Sequence, residues 1–532
     1  MAPLGLSFEE SLVRNVLLRR VPEHGELPFL RFGEQVATYA EVHERALSAN
    51  AAFASLGVAP RELVGLMLPN SIEYVELYFG LAFRAAAVVL VNTSFIGHML
   101  EYVLNDARCR VVVVDEEYLP ALLESERALE HLETLVVTGE RPDVATWVTR
   151  FERVSVVSLA SVLLEADLGV EHPEDVSPND LHCVVYSSGT TGPSKGVMIS
   201  NAHALTKAAE VLRICQFGPG DVLYSPLPLF YSMGLLRGVL SVALVGSSIV
   251  LRDRFSVGAY WDDVRVHGAT VGHCVFSIPK MLKSAPPNER DADNTLRCMF
   301  NAQHDPEFEQ RFGVTLVESY GLTEAGNAIY NRLGEPVVPG SCGRVADDWE
   351  VRLADPLGAE VPLGATGEIL IRPKAPGCVM LAYLNKPEAT AAAFRDLWLH
   401  TGDLASLDET GHYFYQGRNK DMIRRRGQNI SAWEVEEILR SCPGVGDVAA
   451  LAKASAMGED ELRVVLVASD AGAIDLEAVA AFCERRMPAF MMPRYLEVVA
   501  ELPKTPSGRT EKYKLDEVDA LQRLDRGAEG RR

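Results

Sequence analysis

The sequence lacks the features by which nucleic-acid-binding, membrane and secreted proteins are usually recognised. Lysine and arginine number 51 against 73 aspartates and glutamates, which gives a formal net charge of −22. Such a surface repels nucleic acids and anionic membranes on average. The longest apolar stretch, around Leu77 to Val91, contains Arg84 and is too short to cross a bilayer. The N-terminus has no basic segment followed by an apolar core, so no secretory signal is expected.

Cysteine is also used sparingly and without pattern. The nine cysteines include no C-x-x-C pair and are odd in number. This distribution argues against a disulfide framework or a zinc site and favours reduced, buried thiols. We therefore expect a soluble cytoplasmic protein that binds neither nucleic acid nor membrane.

The composition of the chain, and its alternation of strand-like and helix-like segments, are typical of a large α/β enzyme. Its 532 residues, 48% of them hydrophobic, exceed what one core usually supports, so two or more domains are expected. Short β-branched runs such as Val111 to Val114 alternate with helix-period stretches such as Tyr39 to Leu56, which is typical of buried parallel sheets. Residues 351–371 are rich in Gly and Pro and predict a small twisted sheet or barrel element. The region after Gly417 predicts a compact α+β unit.

One segment concentrates glycines, hydroxyls and a lysine in the way that binding a polyphosphate requires. It reads Tyr186-Ser187-Ser188-Gly189-Thr190-Thr191-Gly192-Pro193-Ser194-Lys195-Gly196. Glycines let backbone N–H groups turn inward, hydroxyls add neutral donors and the lysine adds a mobile charge. Apolar runs on both sides predict a loop between strands, unlike the strand-to-helix setting of a Walker loop, whose motif is absent. A flexible surface loop of the same composition is the alternative.

Three later segments could serve a nucleotide, although each also has an ordinary structural explanation. Glu318 to Gly326 places an aromatic ring, a glycine, a hydroxyl and a carboxylate close together, or else forms a strand end and helix cap. In Trp398 to Leu404, Asp403 is expected to end a strand, where it could accept from a ribose diol or simply form a turn. The charged segment Tyr415 to Ile423 predicts an interdomain linker.

Taken together and in this order, the four segments resemble the adenylate-forming enzymes, which include acyl-CoA ligases, firefly luciferase and the adenylation domains of peptide synthetases. The resemblance extends to Leu502-Pro503-Lys504-Thr505-Pro506-Ser507-Gly508, which is similar to the family's final loop. The stretch from Ile423 to Glu436 looks most like the crotonobetaine/carnitine-CoA ligase-like branch. The resemblance implies a large N-terminal domain of αβαβα layers with a β-barrel-like element, residues 1–419, and a small mobile α+β domain, residues 420–532.

The resemblance also implies roles for individual residues, together with ATP or an acyl-AMP, Mg²⁺ and coenzyme A as ligands. It assigns the β- and γ-phosphates of ATP to the loop from Ser187 to Lys195, which includes Ser188, Gly189, Thr190, Thr191 and Gly192. Tyr320 matches the adenine-stacking aromatic, and Gly321 is a further nucleotide-binding position. Thr323 matches the α-phosphate contact and Glu324 the magnesium ligand. Asp403 and Arg418 match the ribose contacts, and Lys420 matches the hinge of the C-terminal domain.

One position departs from the family pattern. The final loop usually carries a lysine that bridges the substrate carboxylate and the α-phosphate, but Arg509 follows Ser507 and Gly508 here. The wider guanidinium is not a conservative replacement in a tight site, and losing one well-aimed donor costs about 3 kcal/mol, or on the order of a hundredfold in rate. Either adenylation is weak or lost while thioester formation is retained, or Arg509 performs the step. Lys504 and Lys512 are nearby candidates in the wrong register.

Two further departures concern the acyl and thiol substrates. Tyr231 replaces a histidine that gates the acyl pocket in many relatives, and a packed aromatic is the alternative. Arg426 precedes Gly427 where relatives often have two glycines beside the pantetheine path. The run from Arg424 to Arg426 either meets the 3′-phosphate of CoA or, for at least two of the three arginines, is a solvated charged face.

Small and apolar residues around the expected acyl pocket favour a bulky hydrophobic carboxylic acid, or its adenylate, as substrate. The pocket is expected among Gly234, Gly326 and Ala328, with Met233, Leu235 and Phe276 around them. Tight packing is the other explanation for the small residues. Transfer to a carrier protein, a partner enzyme that supplies the adenylate, an adenylate sensor and a homodimer all stay open.

Overall fold

The computed structural model describes residues 7–139, 142–187, 194–275, 277–418, 422–425, 428–455, 459–469, 474–504, 510, 512–516 and 518–527. The chain divides into two compact units. The larger unit comprises Met1–Thr93, Leu104–Tyr186 and Gly196–Gly417, and the smaller comprises Ser94–Val103, Ser187–Lys195 and Arg418–Arg532.

The first part of the chain alternates helices with short strands. Its helices are α1 (Val13–His24), α2 (Tyr39–Ser55), α3 (Ile72–Arg84), α4 (Gly97–Asp106), α5 (Leu119–Ser125), α6 (Val144–Arg150) and α7 (Leu159–Glu165). Its strands are β1 (Pro28–Phe32), β2 (Gln35–Thr38), β3 (Leu63–Met67), β4 (Ala87–Leu90), β5 (Val111–Asp115), β6 (Thr134–Thr138), β7 (Ser155–Ser158) and β8 (Leu181–Ser187).

Local sequence explains where two of these helices begin. Thr38 and Glu41 form a reciprocal capping box that starts α2, and the Ser71 side chain accepts from the backbone N–H of Tyr74 to start α3. Both arrangements satisfy backbone donors that the first helical turn leaves unpaired. The sequence prediction of a helix over Tyr39 to Leu56 is confirmed.

The middle of the chain continues the pattern. Its helices are α8 (Asn201–Ile214), α9 (Ser232–Gly234), α10 (Leu240–Val245), α11 (Val257–His267), α12 (Ser277–Ser284) and α13 (Pro306–Phe312), with a π-helical turn over Leu235–Val239. Its strands are β9 (Lys195–Ser200), β10 (Val222–Ser225), β11 (Ser248–Leu251), β12 (Val271–His273), β13 (Cys298–Phe300), β14 (Thr315–Val317), β15 (Ser319–Gly321), β16 (Asn327–Tyr330) and β17 (Arg344–Val345).

These strands build two seven-stranded sheets within the described part of the chain. One has the order β7-β6-β5-β3-β4-β8-β9, and the other β14-β13-β12-β10-β11-β1-β2. The pairs of β3 with β4 and β5, and of β10 with β11 and β12, are parallel. Strands such as β4 and the first four residues of β5 are completely buried, as expected when helices cover both faces. The predicted α/β class with a large N-terminal domain is confirmed.

An antiparallel element follows. It contains β18 (Trp349–Ala354), β19 (Gly367–Pro373), α14 (Pro387–Ala393), β20 (Phe394–Arg395), β21 (Trp398–Leu407) and β22 (Tyr413–Arg418). Strands β18, β19, β21 and β20 are neighbours in that order, and β22 pairs with β21. This is the small sheet that the Gly- and Pro-rich sequence of residues 351–371 predicted.

The smaller unit has its own sheets and core. Its elements are β23 (Met422–Arg425), β24 (Gln428–Ser431), α15 (Ala432–Arg440), β25 (Val445–Ala454), β26 (Asp460–Ala468), α16 (Leu476–Arg486), β27 (Tyr495–Val498) and β28 (Gln522–Asp525). Strands β25 to β28 form one sheet in chain order. Ala449, Val465 and Leu515 pack in its core, and Arg463 and Glu497 form a buried ion pair of 2.8 Å.

Two general expectations can be compared with the structure. All nine cysteines are buried and free, as the sequence predicted. Among the described residues, no helix combines the length and the apolar character that a membrane span requires.

Candidate active site

The phosphate-loop segment lies between two neighbouring strands, as the sequence predicted. Strand β8 ends at Ser187 and β9 begins at Lys195, and the two strands are adjacent in the sheet. Both residues are half-buried. The other predicted phosphate contacts lie outside the described residues: Ser188, Gly189, Thr190, Thr191 and Gly192.

The end of this segment is fixed by contacts within the smaller unit. Ser194 donates from its backbone N–H to Oε1 of Glu434 at 2.7 Å and also from its hydroxyl to the same oxygen. Its carbonyl accepts a 2.8 Å hydrogen bond from the Tyr102 hydroxyl. Burial raises the pKa of Glu434 to about 7, although both bonds from Ser194 act in the opposite direction. Glu434 therefore anchors the residue that precedes Lys195.

A cluster in the larger unit brings together two of the predicted nucleotide residues. The Tyr320 hydroxyl donates to Oδ2 of Asp403 at 2.8 Å, and the Tyr415 hydroxyl donates to Oδ1 at 3.3 Å. The two rings have centroids 6.1 Å apart and planes inclined by 32°. Two donors thus orient one buried carboxylate beside two aromatic rings, an arrangement suited to a nucleoside because rings stack on a base and carboxylates accept from sugar hydroxyls.

The expected position of Asp403 at a strand end is wrong. Asp403 lies inside β21, which continues to Leu407. Gly402 adopts a φ of +72°, and the pairing of β19 with β21 shifts register between Glu368 and Leu370. A local irregularity of this kind lets a strand re-aim a side chain without ending. Gly402, which suggested a turn in the sequence, therefore lies at an irregularity within strand β21.

Thr323 and Glu324 lie on a turn between β15 and β16, and both are half-buried. Oε1 of Glu324 accepts a 2.9 Å hydrogen bond from the Tyr383 hydroxyl. Gly321 is required by a close approach, since a Cβ there would lie 2.2 Å from Oδ1 of Asn327. The turn thus holds a hydroxyl and an oriented carboxylate side by side.

The donor set around Glu324 fits a magnesium ion held together with a nucleotide. Mg²⁺ prefers one or two carboxylates plus phosphate oxygens over a cage of protein ligands. Within the described ranges, no three His, Cys, Asp or Glu side chains gather as a protein-only metal site. A single half-buried carboxylate next to the Thr323 hydroxyl matches the first arrangement.

Glu318, just before this segment, is a buried carboxyl in an unusual state. Its side chain is 9% exposed, and burial raises its pKa to about 7. Oε2 of Glu318 makes no hydrogen bond to any residue that the structure describes. The group therefore changes charge near neutral pH, one residue before β15.

Lys207, which contacts the backbone of the Thr323–Glu324 turn, was not predicted from the sequence. Its ammonium donates to the carbonyl of Leu322 at 3.2 Å and to that of Ala325. Lys207 is completely buried in α8. A helical lysine ordinarily points to solvent, so only three-dimensional packing reveals this contact.

Tyr231 precedes α9 and contacts residues of the larger unit. Its hydroxyl accepts a 3.1 Å hydrogen bond from the Asn92 amide, and its ring packs edge-on against Phe230 at 4.7 Å between centroids. Burial raises the pKa of this hydroxyl further, so it stays neutral. These contacts suit either a gate or a packed aromatic.

The remaining predicted residues lie at the end of a described range or outside the described residues. Arg418 ends β22, and nothing further is described of its side chain. Lys420, Arg426, Gly427 and Arg509 lie outside the described residues. Lys504 forms an ion pair with Asp447 at 2.6 Å and Lys512 one with Glu436 at 2.9 Å. Both lysines are therefore engaged with carboxylates of the smaller unit.

Arg425 is a buried member of the basic run. It is 7% exposed, pairs with Glu461 at 2.7 Å and donates to the carbonyls of Phe490 and Met492. Arg425 itself is therefore neither solvated nor available to CoA, and the expectation of a solvated face for the other two arginines stays a prediction. Charged side chains inside a protein are normally paired in this way.

Two small residues near the expected acyl pocket are explained by packing. A Cβ on Gly234 would lie 2.3 Å from the carbonyl oxygen of Pro228, and one on Gly326 would lie 1.5 Å from Oε1 of Glu210. Neither glycine is small because it borders open space. Phe276 lies outside the described residues.

Comparison with known proteins agrees with this fold and identifies the family. A family model described as AMP-binding enzyme matches residues 17–384, and one described as AMP-binding enzyme C-terminal domain matches residues 434–509. The chain belongs to the AMP-binding enzyme family. It is an AMP-forming acid–thiol ligase of the acyl-CoA ligase group, whose members use ATP, Mg²⁺ and CoA.

Among its relatives are crotonobetaine/carnitine–CoA ligases. That of Salmonella paratyphi C is 29% identical over 491 residues, covering 90% of this chain and 92% of the relative, and that of Citrobacter koseri is 28% identical over 489 residues, with the same coverage.

Solved structures show the same fold. An anthranilate CoA ligase in complex with anthranoyl-AMP has a TM-score of 0.70 at 25% identity, covering 96% of this chain and 98% of that one. A double mutant of the o-succinylbenzoate CoA synthetase of Bacillus subtilis has a TM-score of 0.80 at 22% identity, covering 96% and 99%.

Proposed function

We propose that this chain forms acyl-CoA thioesters by transferring the acyl group of an acyl-adenylate to CoA, and that its own adenylation of the free acid is weak or absent. The proposal goes beyond family membership in separating the two half-reactions. The observation that supports the shared adenylate site is the contact of Tyr320 with Asp403, which joins two nucleotide-type residues from distant segments.

The chemistry explains why an adenylate is needed. A carboxylate is a poor acyl donor because oxide is a poor leaving group. In the acyl-adenylate, the thiolate of CoA attacks the carbonyl carbon, the new C–S bond forms, and the C–O bond to the phosphate breaks with AMP as leaving group. The thiol proton passes to solvent. Adenylation brings two anions together and needs cations at the α-phosphate, whereas thioester formation does not need charge neutralisation of that size.

The nucleotide residues are assigned the roles that the family resemblance implies. Tyr320 stacks on the adenine with Gly321 beside it in the nucleotide site, and Asp403 with Arg418 holds the ribose hydroxyls. Thr323 donates to the α-phosphate, and Glu324 would hold the Mg²⁺ ion, which supplies positive charge to the phosphates when bound. The segment from Ser187 to Lys195 wraps the β- and γ-phosphates.

The remaining roles concern domain movement and the second substrate. Residues 1–419 and 420–532 act as two domains with Lys420 as the hinge, so that different loops serve each half-reaction. Arg426 and Gly427 border the pantetheine path. Tyr231 gates the acyl pocket.

The weak adenylation step follows from Arg509 and from two nearby lysines. Arg509 replaces the compact ammonium with a planar guanidinium. Lys504 and Lys512 are both ion-paired with carboxylates, so substituting for the missing lysine would first break those pairs. A partner enzyme would then supply the adenylate.

The proposed acid is bulky and hydrophobic. Its support comes from the apolar side chains Met233 and Leu235 near α9, since packing explains the glycines at 234 and 326. The cytoplasm, with its reduced thiols and CoA, is the proposed location.

The test supplies the purified chain with CoA and synthetic acyl-adenylates. Benzoyl- and octanoyl-adenylate represent hydrophobic acids, and the adenylates of anthranilate, crotonobetaine and carnitine represent acids named for the relatives. We expect thioester formation from the hydrophobic adenylates, detected by mass spectrometry. No thioester from any of these adenylates would reject the function, and so would an Asp403→Asn variant that forms thioester as fast as wild type.

A complete two-step synthetase is the second candidate, because Arg509 retains the positive charge that adenylation requires. Rapid release of pyrophosphate from ATP, Mg²⁺ and a free acid of the same panel would favour it.

A further inference from the structure

One face of α8 carries three polar side chains into the interior. His203, Lys207 and Glu210 are spaced by four and three residues, so they lie on the same side of the helix. Their exposed fractions are 0%, 0% and 1%. Buried charges are costly unless they are paired, so this face must have specific partners.

The partners of Lys207 are backbone carbonyls of the turn that bears Thr323 and Glu324. The ammonium donates to the carbonyl oxygen of Leu322 at 3.2 Å and to that of Ala325. Nε2 of His203 lies 3.2 Å from the same Ala325 oxygen. The two carbonyls bracket Thr323 and Glu324, and both point into the protein.

Glu210 makes a third contact with the same segment. Its carboxylate pairs with Arg237 at 3.1 Å and lies against Gly326, where a Cβ would come within 1.5 Å of Oε1. A side chain at position 326 would therefore displace the Glu210 carboxylate. Helix α8 thus holds both ends of the segment from Leu322 to Gly326.

The two residues of this segment with proposed phosphate and magnesium roles are less buried than the two residues that follow them. Thr323 and Glu324 are half-buried, whereas Ala325 and Gly326 are fully buried. Lys207 contacts the backbone on both sides of Thr323 and Glu324. An apolar residue at 207 would fill the volume but would take one donor from each carbonyl. Among the described residues, Leu322 would keep only the 3.3 Å bond from the backbone N–H of Ala325, and Ala325 only the contact with His203.

We propose that Lys207 is a positioning residue that fixes Thr323 and Glu324 for the α-phosphate and its magnesium ion. The inference rests on the nucleotide site of the proposed function and adds a residue that touches neither ligand. Glu210 supports it from the other end of the segment.

The experiment compares Lys207→Met with Lys283→Met in the full chain. Lys283 lies in α12 and pairs with Asp305 and Glu307, so the same substitution there controls for loss of a lysine. Binding of ATP with Mg²⁺, and of adenosine, is measured by titration calorimetry. Adenosine lacks the phosphates, so it reports on the Tyr320 and Asp403 side of the site alone.

We expect Lys207→Met to weaken binding of Mg²⁺–ATP by roughly tenfold or more, which is the range for a charge-assisted hydrogen bond, and to leave adenosine binding unchanged. Lys283→Met should match wild type for both. Equal weakening of both ligands by Lys207→Met would show a merely structural role and overturn the inference, as would no change in either.

If Lys207→Met does not fold, Gly326→Ala decides the question, because its methyl group displaces Glu210 from the same segment. The same selective loss of Mg²⁺–ATP binding is expected, and unchanged binding overturns the inference. Wild-type protein that binds neither ligand would reject the proposed function itself, whereas wild-type binding with unaltered variants rejects this inference alone.

Discussion

The Tyr320 hydroxyl donates a 2.8 Å hydrogen bond to Asp403, although the residues are 83 positions apart in sequence. Tyr320 is 8% and Asp403 2% exposed. The bond fixes the angle of the ring relative to the carboxylate, so the adenine and ribose positions of the proposed site are set together.

Removing this bond tests its contribution to nucleotide recognition. Tyr320→Phe keeps the ring but loses the donor, and it should weaken AMP binding by roughly tenfold to a hundredfold, since a hydrogen bond to a charged group contributes about 1.5–3 kcal/mol. Tyr415→Phe removes the longer 3.3 Å bond to Asp403 and should have a smaller effect. Calorimetric titration with AMP measures both, and a larger loss in Tyr415→Phe would contradict the ranking.

The carboxyl of Glu434 makes the stability of the protein depend on pH. Burial raises its pKa in the folded state to about 7 from an ordinary 4.5. Between these values the folded state holds more protons than the unfolded state, so the contribution of this group to stability falls as pH rises through the window. Above pH 7 the loss is complete.

Glu434→Gln should remove that dependence while keeping an acceptor for Ser194. Relative to wild type, we expect no difference at about pH 4.5 and a gain on the order of 1–3 kcal/mol at about pH 8. Thermal unfolding at both pH values measures it. Glu437→Gln, on the same helix but with an exposed side chain that pairs with Arg440, should show no such gain. Equal stability of Glu434→Gln and wild type at the higher pH would refute the explanation.

Gly234 separates a packing role from a pocket role. Gly234→Ala places a methyl group 2.3 Å from the Pro228 carbonyl oxygen, so it should destabilise the protein by about 1–3 kcal/mol. Gly258→Ala in α11 has no atom within 4 Å of the new methyl group and should be neutral or stabilising by about 0.5 kcal/mol. Denaturant unfolding distinguishes them. Unchanged stability of Gly234→Ala with altered acid preference would restore the pocket role.

Arg509→Lys addresses the departure from the family pattern. Restoring the slim ammonium should raise adenylation of the free acid by about tenfold to a hundredfold, measured as pyrophosphate release, while thioester formation from a synthetic adenylate stays unchanged. A variant that adenylates no faster than wild type would show that Arg509 is not the limiting residue.

Local patterns in the sequence predicted most of the fold. The β-branched run Val111 to Val114 became a buried strand, and the phosphate loop lies between two strands as expected. Strands and loops of this kind are determined by residues that are adjacent in sequence, so a single sequence is enough to predict them. Asp403 was misplaced because the bend at Gly402 depends on pairing with β19, which sequence alone does not display.

The contacts that hold the site together could not be predicted in the same way. Ser194 and Glu434 are 240 positions apart. In the sequence, Lys207 looks like any lysine of an amphipathic helix, and only the three-dimensional structure shows its contacts with Leu322 and Ala325. Such contacts depend on the packing of distant segments. The types of site residue were visible in the sequence, whereas the residues that orient them were not.

The most direct test measures both half-reactions in one preparation of the wild-type chain, using benzoate with ATP and Mg²⁺ for the first and benzoyl-adenylate with CoA for the second. We predict that thioester forms from the adenylate at least a hundredfold faster than pyrophosphate is released from the free acid, the ratio expected when one aimed donor is lost. Comparable rates for the two steps would contradict the proposed division of labour.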